Sequence, residues 1–259
     1  MLDLAAYIKR IGYSGPLNTT VEVLRGIHRA HMLSVPFENL DIFLGRNIAC
    51  DEQAFIRKIV HQNRGGFCYE LNGAFAVLLR ALGFTATLLS ARVPRQDGRL
   101  APEFDHLTLR VDLGQPWLAD VGFGDLFLEP LRLLPGIEQE QGARKLRISQ
   151  TNDSFLLERT EPDASWKKQY VFSMEPRELT EFAGMCRYHQ TSPESHFTQR
   201  KLCSVATPDG RITLSDRRLM VTVAGRKDEK VLGSEDEWHQ ALKEYFGIAL
   251  PAPTSARSA

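Results

Sequence analysis

The stretch NRGGFCYELNGAFAVLLRALGF, residues 63–84, decides how this chain is read. Asn72, Ala74, Phe75, Leu78, Leu79 and Leu82 recur at roughly helical spacing, and Gly83 ends the pattern. Cys68 therefore falls at or near the first turn of a helix, on a chain bent by Gly65 and Gly66. A helix N-terminus carries unpaired N–H groups and partial positive charge, and a thiol placed there ionises more easily. A buried structural cysteine at a tight turn accounts for the same stretch. The choice between the two rests on what the rest of the chain supplies.

The 259 residues have ordinary globular composition, 43% hydrophobic and 25% charged, with length enough for a sizeable core. Lys+Arg and Asp+Glu are both 32, so no excess charge points to nucleic acid or an anionic membrane. No apolar run approaches a membrane span, and the start, MLDLAAYIKRIGY, lacks the pattern of a signal peptide. Cys50, Cys68, Cys186 and Cys203 are widely spaced, without a C-x-x-C pair. That spacing favours neither a zinc framework nor a disulfide scaffold, and predicts a reducing, cytoplasmic setting.

The first third reads as helices. LDLAAYIKRIGY ends at Gly12, Thr19 with Glu22 forms a capping box, and Asp51 caps EQAFIRKIVHQN. After Gly83 the period changes to two. FTATLLSARV, HLTLRVDL, PWLADVGF, RKLRISQ, SFLLERT and KKQYVFSM read as strands. A short helix is expected over residues 176–186, then two strands in GRITLSDRRLMVTVAGR and a capped helix in SEDEWHQALKEYFG. The order is helical, then β, then mixed, which is α+β.

A thiol nucleophile needs a base and a group that orients the base. Of the seven histidines, His28 and His31 share a helix with apolar neighbours and read as structural. His61 lies near a helix end, and His239 reads as exposed. His106 opens the strand HLTLRVDL, whose apolar face is Leu107, Leu109 and Val111, so His106, Thr108 and Arg110 point to the other face. A hairpin through GQP brings back WLADVGFG. Asp120 and His106 are equally distant from position 113, so they are expected near one another across the turn. A carboxylate in LADVGF is explained either as a cap for the following turn or as the partner of His106. Taken together, the three residues favour a Cys–His–Asp constellation over a metal site, for which no further ligands occur at useful spacing.

RGGFCYELN around Cys68, DHLTL around His106 and DVGFG at Asp120 closely resemble the arylamine N-acetyltransferase family. VPFENLDI (residues 35–42) and SPESHFTQRKLC (192–203) also resemble segments of that family, in the same order along most of the chain. The resemblance implies three segments. These are a helical bundle over 1–83 carrying the nucleophilic cysteine, a β-barrel over 84–190 carrying His and Asp, and an α/β lid over 191–259 ending in a disordered tail. It implies a triad of Cys68, His106 and Asp120. It implies acceptor-pocket walls at Phe37, Val93, Phe123 and Phe197, each equally readable as core. Gly122 and Gly124 would belong to the loop over which acetyl-CoA approaches, and Arg64 with Glu38 would be an ion pair anchoring two motifs.

The implied reaction is ping-pong acetyl transfer from acetyl-CoA, through acetyl-cysteine, to a small aromatic amine or hydrazine, with N-hydroxyarylamine O-acetylation as a related outcome. Acetyl-CoA would be a co-substrate and no metal would be needed. The implied setting is xenobiotic metabolism by a monomer or homodimer, with no nucleic-acid or membrane partner. A cysteine hydrolase or transglutaminase-like amidase could use the same triad. A non-catalytic binding module is argued against by the intact Cys, His and Asp. The DGR segments at 97–99 and 209–211 read as ordinary turns rather than contacts for CoA phosphates.

Overall fold

The computed structural model describes residues 2–95 and 97–250. The tail expected to be disordered lies, from residue 251 on, outside the described residues.

Helices occupy the first third. Asp3 accepts the Ala6 N–H at 2.9 Å and starts α1 (Leu4–Ile11), which stops at Gly12 in the left-handed region. Thr20 caps α2 (Val21–Ser34), one position later than expected. Thr19 instead donates to the Leu82 carbonyl at 3.2 Å. β1 (Phe37–Glu38) and α3 (Leu40–Phe43) follow. Asp51 caps α4 (Glu52–Ile56) as the sequence predicts, but Arg57–His61 widen into a π-turn in which Lys58 is buried. α5 (Cys68–Ala81) is buried on nearly every side, Glu70 and Asn72 included.

Eight antiparallel strands come next: β2 (Thr85–Arg92), β3 (His106–Leu113), β4 (Gln115–Ala119), β5 (Leu131–Arg132), β6 (Glu138–Gln141), β7 (Arg144–Thr151), β8 (Ser154–Thr160) and β9 (Trp166–Ser173). Their order is β5-β4-β3-β2-β9-β8-β7-β6. The two edges meet through glutamine side chains. Gln139 accepts from Arg132 N at 2.8 Å and donates to Arg132 O at 3.0 Å, and Gln141 does likewise with Leu128 and Glu129. The result is a nearly closed barrel whose exposed edges are covered. Leu89, Leu118, Leu146, Ile148, Leu157 and Tyr170 fill its inside. Leu107, Leu109 and Val111 face outward, into the core that also holds Leu71, Phe75 and Leu78 of α5.

The expected helix over 176–186 begins as a 3-10 turn (Leu179–Phe182) and continues as α6 (Ala183–Thr191), followed by α7 (His196–Gln199). A second sheet has the order β1-β10-β11-β12-β13, with β10 (Leu202–Thr207), β11 (Gly210–Ser215), β12 (Arg218–Val223) and β13 (Arg226–Val231). Ser234 caps α8 (Glu235–Phe246), whose Trp238, Leu242 and Phe246 pack in one cluster with Val205 and Leu214. β1, from the helical part, is an edge strand of this sheet. Phe37 also bridges to Gly66, so the segment before Cys68 is held to the sheet. Among the described residues no helix is long and apolar enough to cross a membrane.

Candidate active site

The two glycines before Cys68 are required by close approach. A Cβ at Gly65 would strike the Pro36 carbonyl, and one at Gly66 would lie 2.6 Å from Glu70 Cβ. Glu70 needs that space because its carboxylate turns back to accept the Phe67 N–H at 3.1 Å. This is the acidic half of a capping box, and it makes Cys68 the first residue of α5.

Glu70 also belongs to a buried ion network. Lys58 Nζ lies 2.7 Å from Glu70 Oε1 and 2.8 Å from Asp41 Oδ2. Arg64 Nη2 lies 2.7 Å from Glu38 Oε1 and 3.0 Å from Asp41 Oδ1. The expected Glu38–Arg64 contact is therefore present, as part of a larger group. Three carboxylates face two cations, an excess of one negative charge out of water. Burial raises Glu70 to about 7, against the pull of Lys58 and with the push of Glu38.

His106 and Asp120 meet on the barrel. Nε2 of the imidazole lies 2.7 Å from Asp120 Oδ2, with both side chains buried. The register differs from expectation. Leu109 pairs with Ala119 and Asp112 with Pro116, so the ladder extended by one step sets Asp120 opposite Thr108 rather than His106. His106 and Thr108 share a face, and the shift of two keeps the carboxylate on that face. Both carboxylate oxygens are fully engaged. Oδ2 also accepts Tyr170 OH at 3.0 Å, while Oδ1 accepts Asn72 Nδ2 at 2.8 Å and Gly122 N at 2.9 Å. Burial alone would raise Asp120, but the His106 charge and these donors outweigh it and hold it below the usual carboxylate range.

Asn72 joins this unit to the cysteine helix. One turn after Cys68, it donates to Leu107 O at 2.6 Å and to Asp120, and accepts Val121 N at 2.9 Å. Gly122 packs against the same turn: a Cβ there would lie 2.8 Å from Cys68 Cα and 2.7 Å from Asn72 Nδ2. His28 supports Asp120 from behind, accepting its backbone N–H at Nε2 (3.1 Å) while Nδ1 lies 2.8 Å from Leu128 O. That arrangement requires a neutral ring, and burial indeed lowers His28 to about 4.

The Cys68 thiol is buried, with the Leu107 and Tyr69 backbones beside it. Position at a helix start is not enough to ionise it here. Burial pushes the thiol well above its ordinary value, the backbone donors pull the other way, and the Asp105 and Asp120 carboxylates add to the rise. An ionised sulfur at this position needs a positive charge beside it. His106, held by Asp120 at Nε2, directly precedes Leu107, whose backbone lies beside the thiol.

The other expected residues fall into two groups around this centre. Phe37 and Phe197 lie tilted beside each other (ring centroids 6.0 Å apart), and Phe197 also meets the Phe67 ring edge-on at 5.8 Å. Phe123 sits edge-on to the His106 ring at 5.0 Å, and Val93 packs on the same barrel cluster. All four are half-buried, as walls open on one side are. Gly122 is buried, and Gly124 has φ +76 with open space where a side chain would be. Sequence reasoning passed over Asn72, Tyr170 and His28 as site residues. Asn72, a polar residue on the apolar face of α5, was the available signal. Tyr170 had none, because its strand lies fifty positions from Asp120. His239, expected to be exposed, is half-buried on α8. Among the described residues no cluster of His, Cys, Asp or Glu is arranged to hold a metal.

A family model described as N-acetyltransferase matches residues 20–255. An arylamine N-acetyltransferase / N-hydroxyarylamine O-acetyltransferase of Salmonella typhimurium is 34% identical over 95% of this chain and 89% of its own. A solved arylamine N-acetyltransferase from Salmonella typhimurium superposes with a TM-score of 0.92 at 31% identity, covering 100% of this chain and 96% of the other. The Mycobacterium marinum enzyme, solved in complex with CoA, superposes with a TM-score of 0.88 at 30% identity, covering 95% and 93%. The chain belongs to the arylamine N-acetyltransferase family and is an acyltransferase.

Proposed function

We propose that this enzyme moves an acetyl group from acetyl-CoA to an arylamine or arylhydrazine by a ping-pong reaction through S-acetyl-Cys68, with the O-acetylation of N-hydroxyarylamines as a second outcome of the same chemistry. The observation that carries the reading is the His106–Asp120 pair, held by three further donors and joined by Asn72 to the first turn of the helix that begins with Cys68.

His106 takes the thiol proton as Cys68 attacks the thioester carbonyl, and returns it to the departing CoA sulfur. Asp120 fixes the imidazole through Nε2, leaving Nδ1 toward the thiol, and balances the imidazolium. The unpaired N–H groups in the first turn of α5, that of Cys68 among them, are suited to stabilise the tetrahedral oxyanion. In the second half-reaction the amine attacks acetyl-Cys68, His106 accepts the amine proton, and the acyl C–S bond breaks to release the Cys68 sulfur, to which His106 can return that proton. Phe37, Phe197, Phe123 and Val93 are the walls against which a flat aromatic acceptor would lie, and they disfavour water. Gly122 and Gly124 keep the approach of the donor free of side chains.

Steady-state kinetics test the reading. Initial rates of CoA release at varied acetyl-CoA and aniline-type acceptor should give parallel double-reciprocal lines. CoA release at the same rate without any amine would mark a hydrolase instead.

A further inference from the structure

An unusual concentration of cations lies just beyond the catalytic loop. Three arginines converge on Asp125, five residues after Asp120 in the chain. Arg144, from the start of β7, binds its carboxylate in two-pronged fashion at 2.9 and 3.0 Å. Arg211, from β11 of the other sheet, lies 3.5 Å from it and donates to Gly124 O at 2.6 Å. Arg159, from β8, lies 3.7 Å away and also donates to the Asp125 carbonyl.

Glu161 Oε1, 3.0 Å from Arg159 Nη2, brings the count to two carboxylates against three guanidiniums, an excess of one positive charge. The buried Nε of Arg159 has no hydrogen-bond partner, and Arg211 Nε has only Asp125 Oδ1 at 3.5 Å, while its Nη1 donates to Ser204 Oγ at 2.9 Å. Burial of Arg211, deepened by the neighbouring Arg144 and Arg159 charges and relieved only in part by Asp125, pulls its guanidinium below its ordinary value. Asp125, Arg144 and Arg211 line a cleft of about 860 Å³ between the barrel and the second sheet. Glu129, Glu140 and Asp209 are also on its walls, so the positive excess is local to Asp125 rather than general. Arg211 belongs to the second DGR segment, which the sequence presents as an ordinary turn. In the structure the turn itself is Pro208–Asp209, Gly210 opens β11, and the arginine beyond it reaches toward Asp125.

We propose that Arg144, Arg159 and Arg211 form an anion subsite for the phosphate groups of the CoA moiety, with the Asp125 carboxylate occupying it as an internal stand-in until a phosphate displaces it. Guanidinium forks match phosphate as they match carboxylate. The short loop from Phe123 to Asp125 spans from the His106 ring to this cluster, so the same loop touches the reacting end and the anion end of the site. The inference rests on the acetyl-CoA reading above, but its test measures binding alone.

Calorimetric titration of the purified protein with CoA, dephospho-CoA and pantetheine separates the possibilities. Arg144→Gln should weaken CoA about tenfold or more, as expected for loss of hydrogen bonds to a charged group, with little effect on pantetheine. Asp125→Asn should tighten CoA several-fold by removing the internal competitor. Retention of the Arg144→Gln effect with dephospho-CoA assigns the site to the diphosphate, and its disappearance assigns it to the 3′-phosphate. CoA binding unchanged by Arg144→Gln, or weakened by Asp125→Asn, overturns the proposal. The acetyl-transfer reading fails on a different observation, the absence of acetylated Cys68.

Discussion

His106 Nε2 and Asp120 Oδ2 lie 2.7 Å apart although the two residues are not opposite each other in the β3–β4 ladder. Asp120 lies just past the last paired residue, Ala119, where the chain leaves the sheet. Freed from the ladder, its carboxylate is positioned by Asn72, Tyr170 and Gly122, and its backbone N–H by the His28 ring. The acid therefore depends on contacts from α2, α5 and β9, and its function should respond to each of them.

Asp120→Asn replaces the one anion that balances an imidazolium on His106. Burial and the Asp105 carboxylate both oppose ionisation of Cys68, so the thiolate should be lost with the imidazolium. Iodoacetamide should label Cys68 of the unsubstituted protein readily near pH 6–7, the range of an activated thiol. In Asp120→Asn that labelling should fall by at least about tenfold and need higher pH. Equal profiles for the two proteins would remove Asp120 from the support of the thiolate.

Tyr170→Phe deletes a single hydroxyl that donates to Asp120 Oδ2 at 3.0 Å and leaves the ring in the barrel core. Loss of one hydrogen bond to a charged group should lower kcat by about tenfold, with the KM for the acceptor nearly constant. The measurement is steady-state kinetics at fixed acetyl-CoA, and an unchanged kcat would make Tyr170 a purely structural residue.

Gly122→Ala tests the closeness of the catalytic loop to α5. The new methyl would sit 2.8 Å from Cys68 Cα and 2.7 Å from Asn72 Nδ2, so the loop must shift. Overpacking of this kind costs about 1–3 kcal/mol, which urea unfolding would register. Activity should fall more than stability, because Asp120 moves with the loop.

The pH dependence of stability carries a defined sign. In the fold, burial raises Glu70 to about 7, above the ordinary 4.5 of a glutamate. Its contribution is complete below the unfolded pKa and is lost as pH rises toward the folded one. His28 acts oppositely over nearly the same interval, since its folded value of about 4 lies below 6.5. His31, held well below its ordinary value by burial, adds to the His28 effect, so the informative quantity for Glu70 is a difference. Glu70→Gln should gain stability relative to the unsubstituted protein between pH 5 and pH 8, by up to about 3 kcal/mol. A constant difference across that range would mean that Glu70 does not hold the extra proton of the network.

The parts of the site legible in the sequence were those encoded locally. Cys68 was visible because two glycines, a helical period and Gly83 surround it within one stretch. His106 and Asp120 were visible because alternation and a short hairpin place them on one face, to within two residues of register. Asn72, Tyr170 and His28 were not, because each acts on Asp120 from 48 residues away or more. β13 escaped for another reason: RKDEKV is exposed at every position, so no alternation marks it. β5 and β6 are short, and glutamine side chains rather than strand pairing join them. The π-turn at Arg57–His61 has the same apolar period as an α-helix and is distinguished only by the burial of Lys58 among carboxylates.

The most direct test of the central claim is intact and peptide mass spectrometry of the protein mixed with acetyl-CoA and no amine. One acetyl group should appear on the peptide containing Cys68 and on none containing Cys50, Cys186 or Cys203. Addition of an arylamine should then remove it and release an equal amount of acetylated amine. Amine acetylation that requires both substrates together, with Cys68 never acetylated, would contradict the covalent account.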